Sequence, residues 1–101
     1  MPPSDLSQFK AIRFAAKGNG KKYMLVVRRA AVRDYGQFRS DFIAKPEWSE
    51  ITIKLDDLQQ PDWAHPIPRG WVDVIQIAFM PDKLFSDEDY DLSVDSVELV
   101  K

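Results

Sequence analysis

Two of the three tryptophans in this chain lie in one short, proline-rich segment. The segment PDWAHPIPRGW, residues 61–71, carries Trp63, Trp71 and the single histidine, His65. Proline has no N–H to donate to a sheet and fixes φ, so the segment is predicted to be an ordered surface loop. An indole ring exposed on such a loop offers a ligand a flat apolar platform. Alternatively, both rings fold back and cap one end of the protein.

Carbohydrate is one ligand class that can bind to such a platform. A sugar ring stacks its apolar C–H face on an indole or a phenol, and neighbouring polar side chains bind its hydroxyl groups. The tyrosines are further candidates: Tyr35 in a turn, Tyr90 at the start of the last strand, and Tyr23. Tyr23 shares a strand face with Leu25 and Val27, which favours burial.

Three polar residues interrupt apolar strand patterns. Arg13 lies between Ile12 and Phe14, Arg28 ends a strand, and Gln76 lies within VDVIQIAF. Successive side chains of a strand point to opposite faces, so these three are predicted to point away from the core. If their strands are neighbours, they line one concave face beside a loop tryptophan. The alternative is an ordinary solvated sheet face.

Catalysis has little support in the residue pattern. His65 shows no partner for a Ser–His–Asp arrangement and is more typical of a surface residue. The acidic residues Asp56, Asp57 and those of 87–91 could be glycosidase carboxylates, but acids in turns are commonly caps. We therefore expect a protein that is not an enzyme, in which His65 contributes only to binding.

Alternating hydrophobicity predicts an all-β protein. Glycines at 18 and 20 suggest a hairpin between the first two strands, and residues 55–60 could form one helical turn. Six short strands separated by turn signals are typical of an antiparallel β-sandwich, here of jelly-roll type. The predicted strands are 9–16, 22–29, 38–44, 48–55, 72–80 and 90–100.

The apolar residues of these strands are predicted to form the core. Trp48, which follows a turn at the start of a strand, is assigned to the core and not to a ligand site. The full predicted set is Ile12, Phe14, Leu25, Val27, Phe42, Trp48, Ile51, Ile53, Ile75, Ile77, Phe79, Leu92, Val94, Val97 and Leu99.

Composition limits the classes of function. The length of 101 residues suits one domain, residues 1–101, with a modest core. The chain has no cysteine, which excludes disulfides and thiolate metal sites. Its formal net charge is −2, which disfavours nucleic acid as a partner. No apolar run approaches the roughly 20 residues of a membrane span, and residues 1–10 contain no apolar signal core.

Several motifs resemble one group of β-sandwich domains. The strand YMLVVR (23–28) follows a glycine-rich turn, EWSEITI (47–53) leads into DDL (56–58), and the last strand contains VDSVELV (94–100). This order is similar to that of family 11 carbohydrate-binding modules and the related complex I intermediate-associated domains, of the galactose-binding-like class. The resemblance covers residues 9–101, without the further strands that usually precede this stretch in such modules.

The resemblance implies a non-catalytic module that binds β-glucan, such as cellulose or mixed-linkage glucan. Such modules are attached to the catalytic domain of a parent glycoside hydrolase, which implies a secreted, extracellular protein. They often hold a structural calcium ion with an acid in the last strand, and Asp95 matches that position. The resemblance therefore implies a structural calcium ion.

Two alternatives stay open. The intermediate-associated relatives suggest a protein-interaction or assembly domain that presents the same exposed aromatic residues to a partner protein. The chain could also be a structural half that pairs through an open sheet edge.

Overall fold

The computed structural model describes residues 5–33, 36–81 and 92–101, in which the chain forms six β-strands and one short 3₁₀ turn. The turn, Leu55–Asp57, lies where one helical turn is predicted. The predicted strands are confirmed, with ends that move by a few residues. They are β1 (Ala11–Gly18), β2 (Lys22–Arg29), β3 (Phe38–Ile43), β4 (Ser49–Lys54), β5 (Val74–Pro81) and β6 (Leu92–Val100).

The strands form two three-stranded sheets, with the orders β4-β1-β6 and β3-β2-β5. Neighbouring strands are antiparallel in both sheets. The inner faces of the two sheets share one apolar core. The expected all-β antiparallel sandwich is therefore confirmed. In the described part of the chain, no helix is long and apolar enough to cross a membrane.

The predicted hairpin between β1 and β2 is wrong. The two strands are the centres of different sheets, so the turn between them crosses from one sheet to the other. The turn is held by the N–H groups of Gly18 and Gly20, which donate to the carbonyls of Lys45 and Ala44 at 2.8 and 2.7 Å. A glycine-containing turn permits a chain reversal, but only burial decides whether the two strands pair edge to edge or stack face to face.

The two central strands differ in burial. β1 buries Ile12 and Phe14 and leaves Arg13 between them half-exposed, as alternation predicts. β2 is buried without a break over Tyr23–Val27, because both of its faces are covered. Its odd-numbered side chains enter the core, and Met24 and Val26 are buried on the outer face of the sheet.

Phe14 lies at the centre of the core. Its ring packs edge-on against Phe42 of β3 at 5.1 Å and against Phe79 of β5 at 5.0 Å, and so joins the two sheets. Most of the predicted core is confirmed. The predicted members that are buried are Ile12, Phe14, Leu25, Val27, Phe42 and Ile53, and those partly buried against them are Ile51, Ile77, Phe79, Leu92, Val94 and Leu99.

The assignment of Trp48 to the core is wrong, because its side chain is 51% exposed. Ile51, Ile53 and Leu55 point inward, so the inward positions of β4 are odd-numbered. Trp48 is even-numbered and precedes the strand, which begins at Ser49. Alternation counted backwards from Ile53 therefore places Trp48 on the outer side.

Val97 is also wrongly placed in the core and is 47% exposed. The pairing of β1 with β6 shifts register between Arg13 and Ala15, opposite Ser96 and Val97. Ser96 has a positive φ of 55°, which fits a β-bulge. The extra residue breaks the alternation and turns Val97 outward.

A second register shift lies between Arg28 and Arg29, where β2 pairs with β5. Arg28 is opposite Gln76 and Arg29 is opposite Val74, so Ile75 is the extra residue between them. Val74 is buried and Ile75 is only half-buried. The predicted core position of Ile75 is therefore only partly met.

Candidate functional site

A groove with a volume of about 590 Å³ lies on the outer face of the sheet β3-β2-β5. Its floor consists of even-numbered residues of β2 and β5, which point away from the core because the odd-numbered Leu25, Val27, Ile77 and Phe79 point into it. The described residues that line the groove are Met24, Val26, Arg28, Gln37, Arg39, Trp63, Gln76, Ala78 and Met80.

Strand register arranges the floor in rows. Val26 at the centre is opposite Arg39 on one side and Ala78 on the other. Met24, one row away, is opposite Met80 on β5. Neighbouring rows are about 6.8 Å apart along a strand, because side chains of one face recur at every second residue.

The floor is apolar although it lies outside the core. Met24 and Val26 are buried, and each faces a small or flexible apolar partner, Ala78 or Met80, on β5. Methionine adapts its shape to whatever packs on it, which suits a binding surface. The groove therefore combines a dry floor with polar side chains at its rim.

The loop that carries Trp63 is fastened to β3. Gln59 and Arg39 exchange backbone hydrogen bonds at 2.9 and 3.0 Å, which adds a bridge beside β3. The Gln60 amide nitrogen donates to the carbonyls of Gly36 and His65, and its amide oxygen accepts from the Ile67 N–H. These hydrogen bonds hold both ends of the loop tip, so the backbone that carries Trp63 is ordered.

The two loop tryptophans differ in burial. Trp63 is 64% exposed at the rim of the groove, as the platform hypothesis requires. Trp71 is only 7% exposed and packs edge-on against Phe38 with 5.3 Å between ring centroids. The expectation that Trp71 is an exposed platform is therefore wrong, and the capping alternative describes it.

Arg29 holds the end of this loop in place. Its guanidinium donates to Asp73 at 2.7 Å and to the Pro68 carbonyl at 2.9 Å, and it lies over the rings of Phe38 and Trp71. Both charged side chains are largely withdrawn from water, with 7% and 21% exposure for Arg29 and Asp73.

The charge of Asp73 is stabilised by its partners. Burial raises the pKa of Asp73, but the hydrogen bonds from Arg29 and from the Ala31 N–H, with the positive charge of Arg29, outweigh it. The pKa of Asp73 is therefore held below its ordinary value. The ion pair of Asp73 with Arg29 fastens β2 to the start of β5.

Arg28 and Gln76 lie on one sheet face, because β2 and β5 are neighbours. The Arg28 guanidinium donates to the Gln76 side-chain oxygen at 3.0 Å on the outer face of the sheet β3-β2-β5. Arg13 does not join them, because β1 belongs to the other sheet. There it donates to Glu98 of β6 in an exposed ion pair. The hypothesis that all three line one face is wrong for Arg13, since alternation gives the face of a strand but not its sheet.

Tyr23 is buried, as its strand pattern predicts, and its hydroxyl donates to Asn19 at 2.9 Å. It is therefore inaccessible as a stacking platform for a ligand. His65 is exposed in the loop, and its backbone carbonyl accepts from Gln60. The side chain of His65 is not among the described residues that line the groove.

Two further aromatic candidates, Tyr35 and Tyr90, lie outside the described residues. Asp95, the expected calcium ligand, is exposed on β6 and accepts the Ser96 N–H at 2.8 Å. Within residues 5–33, 36–81 and 92–101, no group of three or more His, Cys, Asp or Glu is placed to hold a metal ion. The calcium expectation stays a prediction.

Sequence reasoning missed much of the groove. The missed lining residues are Met24, Val26, Gln37, Arg39, Ala78 and Met80. One signal was available: YMLVV in β2 is apolar at both odd and even positions, which is typical of a strand covered on both faces. What covers the outer face depends on residues from β3, β5 and the loop, which are far apart in sequence.

The arrangement can bind a ligand that presents both apolar and polar groups. Trp63, Met24 and Val26 supply contact area, and Arg28 and Arg39 supply charged donors. Arg39 is oriented by its own contacts, since its Nε donates to the Gln37 carbonyl at 3.3 Å. The groove thus has an apolar centre and two arginine side chains at its rim.

Comparison with known proteins gives one result. No curated protein and no solved structure shows a significant match. The model of the family described as complex I intermediate-associated protein 30, CIA30, matches residues 1–94. This match spans nearly the whole length of 101 residues and includes the five strands β1–β5. This chain belongs to the CIA30 family.

Proposed function

We propose that this chain is a non-catalytic protein-interaction domain that takes part in assembling a larger complex, and that the groove is its contact surface. The family description names association with an intermediate of complex I. We carry this over only as association with a partner protein. The observation that supports the groove as the contact surface is Trp63, an exposed indole beside an apolar floor.

The composition of the groove is typical of protein interfaces. Tryptophan, methionine and arginine are enriched where proteins meet, and contact energy concentrates on a few such residues. Trp63 exposes most of its ring, although an apolar side chain gains free energy by leaving water. Its loop is already ordered by Gln59 and Gln60, so little conformational entropy is lost when a partner covers it.

A matched pair of tryptophan variants tests this proposal. Trp63 and Trp48 are both exposed, but only Trp63 lines the groove. Tagged wild type, Trp63→Ala and Trp48→Ala are expressed in the native host, cross-linked and separated by native electrophoresis. We expect wild type and Trp48→Ala to migrate in a larger complex and Trp63→Ala to migrate free.

The proposal is wrong if the wild-type protein remains free in cross-linked extracts. The groove assignment alone is wrong if Trp63→Ala stays in the complex, whether or not Trp48→Ala leaves it. Circular dichroism of both purified variants shows that any loss of the complex does not come from unfolding.

A second candidate function is β-glucan binding, favoured by the position of Trp63 in one groove with Arg28 and Gln76. An indole stacks on a sugar ring, and the guanidinium and amide groups bind hydroxyls. Under this candidate the domain belongs to an extracellular polysaccharide-degrading enzyme, and a structural calcium near Asp95 belongs with it.

Electrophoresis in a native gel cast with soluble β-glucan separates the two candidates. Retarded migration of wild type that is lost in Trp63→Ala supports sugar binding. Unchanged migration with cellulose-type and mixed-linkage glucans alike argues against it and leaves the protein-interaction function.

A further inference from the structure

The charges of the groove are unevenly placed. Val26 is paired with Arg39, so Arg28, two residues further along β2, is the diagonal neighbour of Arg39. Diagonal neighbours on one sheet face lie about 7–8 Å apart at the backbone, within reach of long side chains. No carboxylate is found among the described residues that line this groove.

An acidic residue lies at the end of the groove opposite to Arg28. Asp41 is paired with Met24, one row from Arg39 and away from Arg28. It lines an adjoining depression of about 350 Å³ that shares Met24 and Arg39 with the groove. Three successive rows of the outer face therefore differ in charge. The first contains Asp41 beside the apolar Met24, the second contains Arg39, and the third contains Arg28.

We propose that the groove binds a short extended segment of a partner protein with the pattern apolar–x–acid–x–acid. This inference rests on the proposed function and specifies the partner's chemistry. The apolar side chain packs on Met24 and Met80, and the two carboxylates face Arg39 and Arg28. Asp41 disfavours an acid at the apolar end and thereby sets the direction of the segment.

The spacing of the segment matches the spacing of the floor. In an extended chain every second side chain points to the same side, about 6.8 Å apart, which equals the distance between rows of the sheet. The apolar residue and the two acids of the segment therefore each lie above one row of the sheet. Each carboxylate forms a charge-assisted bond with a guanidinium, the geometry for which arginine is well suited. Trp63 covers the segment from the loop side.

Blocked, fluorescent peptides with the core Leu-Ser-Glu-Ser-Glu test the inference by anisotropy. The control peptides replace both Glu by Gln, replace both by Lys, or replace Leu by Ser. We expect the Glu peptide to bind at least about tenfold more tightly than the Gln and Ser peptides, and the Lys peptide not to bind. Raising NaCl from about 50 to 500 mM should weaken the Glu peptide more than the Gln peptide.

Protein variants locate the peptide on the groove. Arg28→Gln and Arg39→Gln should each weaken the Glu peptide about tenfold or more and leave the Gln peptide nearly unchanged. Arg13→Gln is the matched control, because Arg13 lies on the other sheet in an exposed ion pair, and it should not change binding. Trp63→Ala should weaken both peptides, and Trp48→Ala neither.

Equal binding of the Glu, Gln and Lys peptides, or no binding of any, overturns the inference. So does a loss of the same size in Arg13→Gln as in Arg28→Gln. This outcome is distinguishable from failure of the proposed function. If the native complex depends on Trp63 but no peptide binds, the proposed function stands and only the inferred acidic segment is rejected. Retardation by β-glucan without peptide binding assigns the groove to sugar.

Discussion

At the scale of the residue, Arg29 and the side chains around it show how one buried charge organises a loop. Its guanidinium contacts Asp73, the Pro68 carbonyl and two aromatic rings. A buried charge is costly unless it is paired and hydrogen-bonded, so these partners act as a unit. The same contacts hold Trp71 in a buried position, whereas Trp63 of the same loop is exposed.

The Asp73 carboxylate should make stability depend on pH in the acid range. The pKa of Asp73 is lowered from 3.8 in the folded protein, so the folded state binds its proton less readily than the unfolded state. Its stabilising contribution is complete above the unfolded pKa and is lost as pH falls through the lower folded pKa. We expect wild type to lose this contribution in urea unfolding below about pH 4.

Asp73→Asn should remove this dependence. At neutral pH the variant should be less stable by about 1.5–3 kcal/mol, the usual contribution of hydrogen bonds to a charged group, and the two stability curves should converge at low pH. Glu98→Gln, which removes the exposed partner of Arg13, is the control and should change stability little. Parallel curves for wild type and Asp73→Asn would contradict the prediction.

The three tryptophans should respond differently to truncation. Trp71→Ala removes a buried ring and should destabilise the protein by about 3–5 kcal/mol, as for other large buried aromatic residues. Trp63→Ala and Trp48→Ala remove exposed rings and should stay within about 0.5 kcal/mol of wild type. Urea unfolding followed by circular dichroism measures all three. A strongly destabilised Trp63→Ala would mean that this ring supports the fold.

At the scale of the element, the connection from β1 to β2 decides how the sheets are joined. The chain must cross between sheets within residues 19–21, and Gly20 adopts a φ of +79° to do so. Its N–H is fixed to the Ala44 carbonyl, so this backbone conformation cannot easily relax. A left-handed conformation is freely open to glycine and unfavourable for other residues.

Gly20→Ala should therefore destabilise the protein by about 1–2 kcal/mol. A methyl group at this position meets nothing within 4 Å, so the cost would come from the backbone alone. Gly70→Ala is the matched control: its φ is not in the left-handed region and its added methyl lies 4.0 Å from the Arg29 guanidinium. Thermal unfolding of both variants tests this. Equal effects at the two positions would contradict the backbone explanation.

At the scale of the whole molecule, two sheets of three strands depend on one core. Phe14 of one sheet packs against Phe42 and Phe79 of the other, so the inner apolar faces of the two sheets cover each other. The apolar face of a sheet must be buried against another element for the sheet to be stable. The sheets are therefore expected to fold and unfold together.

Urea unfolding of the wild-type protein should follow a single two-state transition. The midpoint from far-ultraviolet circular dichroism, which reports both sheets, should coincide with that from Trp71 fluorescence in a Trp48→Phe, Trp63→Phe background. Phe14→Leu should shift both midpoints down together. Separate midpoints would show that the sheets are stable apart.

The sequence alone determined the strands, the β class and most of the core, because alternation and turn residues are properties of short stretches. It also determined that Arg28 and Gln76 point outward. Only the tertiary structure decided which strands pair, which placed Arg13 on the other sheet. Likewise, Trp71 is buried by Phe38 and Trp63 is exposed, although both belong to one loop. Contacts between residues distant in sequence decide these features, and local pattern does not encode them.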